Sequence, residues 1–221
     1  MNYLTQQLLN AKEINLINKE LDSATQDWED GKKTAGSHAS KVKNNLQLKR
    51  QSEISKQLSV LIKNKLLDDD LIKSFTLPKH IHGIMFTKSS TGMKYGRHID
   101  NAFMSSGRAD LSFTIFLTEK NQYEGGELFI ENLTNESKFK LNGGDILIYP
   151  STYLHSVKEV LKGERIACVG WIESYVKSIE EREYLFDLDA GARSLLAKYG
   201  RSEELDLIFK SYSNLLRVIG D

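Results

Sequence analysis

Between Lys79 and Ser174 the chain is cut into short apolar runs by glycine turns, and this punctuation narrows the possible folds more than any other feature. The runs are Ile81–Phe86, Leu111–Leu117, Glu127–Ile130, Phe139–Leu141, Ile146–Pro150, Ser156–Val160 and Arg165–Ile172, with turn signals at Gly125-Gly126 and Asn142-Gly143-Gly144-Asp145. About eight short strands at roughly regular spacing call for a sandwich or barrel rather than a doubly wound sheet. Helical periodicity lies before and after them, so the class is α+β: helical flanks on an antiparallel β core.

The flanks divide the chain into three parts. Residues 1–78 form an N-terminal helical flank with a loop region that faces substrate, 79–177 the β core, and 178–221 a C-terminal helical extension packed on it. Leu4, Leu8, Leu9, Ile14, Leu16, Ile17 and Leu21 predict one amphipathic helix over residues 4–22, broken by Trp28-Glu29-Asp30-Gly31. The small, polar, basic stretch Lys32–Lys43 reads as a loop, the kind of element that carries binding residues between fixed ends. A second helix is expected over Ser52–Asn64 and a short third over Asp68–Lys73, capped by Asp68. Leu77, ahead of Pro78, is expected in extended geometry. The tail predicts helices over Ser178–Leu188, Ala190–Tyr199 and Glu203–Val218, with Gly200 as a stop. Its stripe Leu205, Ile208, Phe209, Tyr212, Leu215, Leu216 serves the core or a homo-oligomer contact equally well.

Composition excludes several function classes. Thirty Lys+Arg balance thirty Asp+Glu in 221 residues, so no global field favours nucleic acid. No apolar span approaches the length of a membrane helix, and no secretory leader is visible. The lone cysteine, Cys168, lies in an apolar run and reads as a buried, inert thiol. The expected location is cytoplasmic.

Chemistry concentrates at His98-Ile99-Asp100. On a strand, residues i and i+2 face the same side, so an imidazole and a carboxylate point at one place. A third ligand would complete a 2-His-1-carboxylate face suited to Fe(II). His155, 55 residues after Asp100, opens a later strand that becomes a neighbour when a β-sandwich rolls up. Arg165 follows ten residues later, where a hairpin aims its guanidinium into the same cavity to clamp a carboxylate. An iron with open positions beside such a clamp suits 2-oxoglutarate. The rival pair His80-x-His82 lacks a carboxylate partner, and His38 reads as a solvated loop residue. Lys41, Lys43, Lys49 and Arg50 read as a solvated basic face, with an acidic substrate as the lesser reading.

The series Met93–Asp100, Arg108–Ser112, Tyr123–Leu128, Gly144–Ser151, His155 and Gly163–Arg165 through Trp171 resembles the PKHD-type hydroxylases, bacterial relatives of prolyl 4-hydroxylases among the Fe(II)/2-oxoglutarate-dependent dioxygenases. The likeness extends to Ala35-Gly36, Lys41–Leu46, Leu185–Asp189 and Asn214–Arg217. It implies a double-stranded β-helix (a cupin-like jelly roll), with His98, Asp100 and His155 as catalytic metal ligands and Arg165 as the co-substrate anchor. Leu128 stands where the wider group has a co-substrate-binding threonine, which leaves Tyr95 or Tyr149 for that contact. Trp171 is implied as a cavity wall. The implied activity consumes O2 and 2-oxoglutarate, hydroxylates a peptidyl proline or related compound, and releases succinate and CO2. L-ascorbate is implied as the reductant that rescues oxidised iron. A small-molecule substrate linked to iron uptake and a non-catalytic jelly-roll binding module are the competing readings.

Overall fold

The structure is a computed structural model and describes residues 3–131 and 134–221. Two antiparallel sheets face one another. The major sheet has seven strands in the order Leu4–Gln7, Asp145–Pro150, Leu111–Phe116, Glu164–Ser174, Pro78–Ser90, Leu46–Leu48, Trp28–Asp30. The minor sheet has five in the order Glu136–Phe139, Leu128–Glu131, Leu154–Val157, Lys94–His98, Lys43–Asn44. This is the jelly-roll arrangement, an α+β fold in which helices cover one sheet.

Alternation along the major sheet creates two different surfaces. In Leu111–Phe116 every residue is buried, yet Leu111, Phe113 and Ile115 join the helix-facing core while Ser112 and Thr114 line the space between the sheets. Helix α1 (Ala11–Ser23) supplies Ile14, Ile17 and Leu21 to that core. Helices α2 (Glu53–Asp68) and α3 (Asp70–Thr76) add Leu58, Ile62, Leu66, Ile72 and Phe75. A second cluster, Phe116, Leu128, Ile130, Leu147 and Tyr149, fills part of the space between the sheets. The rest of that space is the cavity described below.

Several local expectations give way to tertiary structure. Leu4–Gln7 is a strand paired with Asp145–Ile148, and α1 starts at Ala11, where Asn10 and Glu13 form a reciprocal capping box. Trp28–Asp30 is an edge strand rather than a break. Asp69, not Asp68, caps α3. Leu77 adopts left-handed geometry (φ 44°) despite the following proline. Its N–H caps α3 at the Lys73 carbonyl, its own carbonyl accepts from Tyr175 N–H (2.9 Å), and its side chain is buried with Val176 and Leu185. These contacts outweigh the pre-proline preference. The tail holds two helices, α4 (Ile179–Tyr199) running unbroken through Leu188–Ala190, and α5 (Glu203–Ile219). Leu205 is buried and Tyr212 and Leu216 pack on the core, while Leu215 is exposed, so the apolar stripe of α5 is mostly spent on its own chain.

One close approach links fold to cavity. Gly83 has φ +65°, and a Cβ there would lie 2.5 Å from the Trp171 ring, where the pairing of Pro78–Ser90 with Glu164–Ser174 shifts register. Gly92 has φ +84° with nothing within 4 Å. Gly92→Ala therefore carries the left-handed backbone cost alone, about 1–2 kcal/mol. Gly83→Ala carries that cost plus displacement of the indole, about 1–3 kcal/mol more by analogy with overpacked cores. Thermal denaturation of both variants measures the difference; equal losses would remove the Trp171 contact as the reason for Gly83.

Candidate metal centre and cavity

Strand pairing builds the centre. Leu154–Val157 runs antiparallel to Lys94–His98 with His155 opposite His98, and the two imidazole centroids are 4.2 Å apart. Asp100 lies just beyond the strand end. One ligand atom from each of His98, Asp100 and His155 falls within 4.8 Å of the others, with His155 Nε2 3.8 Å from Asp100 Oδ2. Among the described residues this is the one such group of three or more metal-type side chains.

The surroundings fix how each ligand presents itself. His98 Nδ1 sits 2.8 Å from the Gly96 carbonyl and His155 Nδ1 3.0 Å from that of Tyr153. A carbonyl only accepts, so each Nδ1 carries a proton, and the nitrogen left to ligate a metal is Nε2. Burial, reinforced by His155, pushes His98 down to about 4, which keeps it neutral and able to ligate near pH 7. Tyr95 stacks on the His98 ring with centroids 3.6 Å apart. Ser112 Oγ donates to Asp100 Oδ2 at 2.7 Å, and Ser151 Oγ lies 2.7 Å from Ser112 Oγ. Two imidazoles and one oriented carboxylate fit a divalent iron with positions left for other ligands.

The centre opens into a cavity of about 380 Å³. Arg165, Tyr95, Tyr149, Trp171 and Leu128 all line it. Arg165 is buried, and no described carboxylate pairs with it; its Nε has no hydrogen-bond partner. Its guanidinium carbon lies 5.4 Å from the centroid of the Phe116 ring. Burial pushes the guanidinium below its ordinary value, opposed by Tyr123 and Tyr149. Burial likewise raises Tyr149 well above the ordinary phenol value, so it remains a neutral hydroxyl. The indole N–H of Trp171 is buried without an acceptor.

Other candidates fall elsewhere. His82 is bound through Ser106 Oγ and the Arg108 carbonyl, both 2.9 Å, and stacks on His80. His38 is exposed and does not line the cavity. The basic run is not one solvated face. Lys49 is half-buried and donates to the Gln26 carbonyl; Lys43 and Asn45 are buried in the cavity wall, and the exposed Arg50 lines the cavity beside them. Burial and then Arg50 push Lys43 down to about 8. The signal was the alternation Lys43, Asn45, Gln47, all buried on one side; it has meaning only when that side is known to face a polar cavity. Ser112 and Ser151 left no signal, because any serine on a strand looks alike in sequence.

The 2OG-Fe(II) oxygenase superfamily pattern matches residues 84–173. The chain is 75% identical to a PKHD-type hydroxylase of Prochlorococcus marinus strain MIT 9215, and 73% identical to one of strain AS9601, over 100% of each chain. Among solved structures it resembles a Pseudomonas putida prolyl-4-hydroxylase at 18% identity and TM-score 0.58, covering 78% of this chain and 92% of the other. It also resembles a Trichoplax adhaerens prolyl hydroxylase, solved with a hypoxia inducible factor peptide fragment, at 14% identity and TM-score 0.59, covering 83% and 86%.

The Ser112–Asp100 bond yields a test of the centre. Ser112→Ala should weaken Fe(II) or Co(II) binding roughly 10–100-fold by freeing the carboxylate to rotate. Anaerobic metal titration of a variant with an unchanged melting curve measures it, and wild-type affinity would show that Ser112 does not hold the ligand in place.

Proposed function

Since the chain belongs to the PKHD-type hydroxylases of the 2OG-Fe(II) oxygenase superfamily, we propose that His98, Asp100 and His155 hold its Fe(II) and that Arg165 receives the distal carboxylate of 2-oxoglutarate. The enzyme is an Fe(II)- and 2-oxoglutarate-dependent dioxygenase. The observation that carries the residue assignment is the buried guanidinium of Arg165, which has no carboxylate partner among the described residues and lines the same cavity as the triad. A buried charge without a counter-charge is costly, and a bound dicarboxylate relieves that cost with two parallel hydrogen bonds.

When bound, the Fe(II) couples oxidative decarboxylation of 2-oxoglutarate to hydroxylation of a substrate, releasing succinate and CO2. The chain's own residues prepare that event. The Gly96 and Tyr153 carbonyls hold both imidazoles with Nε2 toward the metal position. Ser112, steadied by Ser151, orients the carboxylate of Asp100. Tyr149, whose phenol influences the Arg165 charge, makes the second contact to the co-substrate carboxylate; Tyr95, stacked on His98, instead braces the ligand ring. Trp171 walls the cavity and limits water entry.

In this reading residues 79–177 are the catalytic core, supported by the family match over 84–173, and residues 1–78 and 178–221 flank it. The proposed substrate is a peptidyl proline or a related compound, a class supported by the prolyl hydroxylases of the same fold. Ascorbate is retained as an accessory reductant with no residue assigned to it. A cytoplasmic location is consistent with the single buried cysteine, Cys168.

Anaerobic protein loaded with Fe(II) should develop a metal-to-ligand absorption band on adding 2-oxoglutarate, and a folded protein that shows none would sink the proposal. Arg165→Ala should weaken 2-oxoglutarate binding by about 2–5 kcal/mol, roughly thirty-fold or more, with metal affinity nearly unchanged. An untargeted screen for products heavier by one oxygen, wild type against Asp100→Ala, identifies the substrate.

A further inference from the structure

We propose that Lys43 and Arg50 form a second anion-receiving site in the cavity, and that the hydroxylated compound carries a carboxylate held there while its C–H bond faces the metal centre. The proposal rests on reading the triad as that centre.

Lys43 is 5% exposed, and no described carboxylate lies within ion-pair distance of its ammonium or of the Arg50 guanidinium. Arg182, the other buried cation that lacks a carboxylate besides Arg165, is satisfied by the Val176 and Lys177 carbonyls, whereas no described group accepts from the Lys43 ammonium. A buried ammonium without a partner is expensive, and chains retain one where a ligand completes it. What supports it here is weak. Its Nζ lies 5.0 Å from the centroid of the Tyr95 ring, and Asp100 and Asp30 act at longer range. Asp100 is committed to the metal, so metal loading leaves Lys43 shorter still of negative charge.

The surrounding chain is shaped for these groups. A Cβ on Gly31 would fall 2.1 Å from Asn45 Oδ1 and 3.0 Å from Lys43 Cε. Asn45 Oδ1 is itself buried without a partner. Lys43, Asn45 and Arg50 all line the cavity.

The site is separate from the Arg165 clamp. Arg165 pairs with Ser89, whereas Leu46 pairs with Lys88 and Gln47 with Thr87, so the chain leading to Arg50 runs from there toward Gly83 and Trp171. Beyond burial, the groups that act on Lys43 are Arg50, Asp100 and Asp30, and those that act on Arg165 are Tyr123 and Tyr149. The cavity is thus lined by two sets of cationic groups, Arg165 on the one hand and Lys43 with Arg50 on the other. The ligand proposed for the second site is a carboxylate, a planar group whose two oxygens accept together from an ammonium and a guanidinium.

The test uses full-length protein loaded with Zn(II) in place of Fe(II) and with 2-oxoglutarate, titrated with acetate, acetamide or inorganic phosphate. Amide NMR signals of residues 43–50 report binding. Acetate should shift them saturably and acetamide should not. Lys43→Gln and Arg50→Gln should each weaken acetate at least tenfold while the Fe(II)–2-oxoglutarate band of the same variants keeps its wild-type titration. Equal responses to acetate and acetamide, or variants that bind acetate like wild type, would overturn the proposal. So would parallel loss of 2-oxoglutarate binding, which makes Lys43 a co-substrate contact, or phosphate binding tighter than acetate. Free glutamate and N-acetylglutamate amide, titrated alongside, separate a free amino acid from an acidic side chain. Failure of wild-type protein to bind 2-oxoglutarate at all would strike the co-substrate reading instead.

Discussion

Everything at the centre of this molecule depends on the pairing of Leu154–Val157 with Lys94–His98. It brings His155 opposite His98 across the minor sheet, although 55 residues separate Asp100 from His155. Register is the sensitive variable. A slip of one residue would turn every side chain of a strand to the other face and remove one imidazole from the cavity. The pairing is fixed on its other side by Leu128–Glu131, where Ile130 lies opposite His155 with Ile130 fully buried. Burial of an apolar side chain on one residue therefore helps set the position of a ligand on the next strand. Core packing and metal geometry are specified by the same strands.

The major sheet contributes by having two unlike faces. Its helix-facing residues are large and apolar, and its cavity-facing residues are Ser112, Thr114, Tyr149, Arg165 and Trp171. The hydrophobic term that holds α1, α2 and α3 on the outside allows hydroxyls and a guanidinium to be buried on the inside. Ser112 and Ser151 form a short relay to Asp100. Arg165 Nε and the Trp171 N–H are buried donors with no partner among the described residues. Groups left incomplete inside a well-packed fold are the places where ligands belong.

Much of this was legible in the sequence, for identifiable reasons. Glycine punctuation with apolar runs reports strands directly, and His98, Asp100, His155 and Arg165 occur in an order that the jelly roll makes into one site. Edge elements were not legible. Leu4–Gln7 and Trp28–Asp30 are short, and only their partners, Asp145–Ile148 and Leu46–Leu48, make them strands. Leu77 shows the same limit at one residue, since its left-handed geometry answers to Lys73 and Tyr175 rather than to Pro78. In sequence Lys43 reads as solvated because a lysine is exposed on most strands, and only the opposing Tyr95 and the cavity behind it reverse that rule.

Charge distribution inside the cavity then constrains what such an enzyme can discriminate. Arg165 and Lys43 are both buried cations, but they differ in kind. A guanidinium holds its charge under almost any conditions, which suits a co-substrate required in every turnover. A lysine pushed to about 8 by burial and by Arg50 holds its proton less firmly. An arriving anion holds that proton more firmly, so binding and charging of Lys43 reinforce one another. A neutral analogue gains none of this and leaves the ammonium unpaired. The resulting discrimination comes from the penalty on the wrong ligand as much as from attraction to the right one, the arrangement by which buried polar sites reject isosteres lacking the matching group.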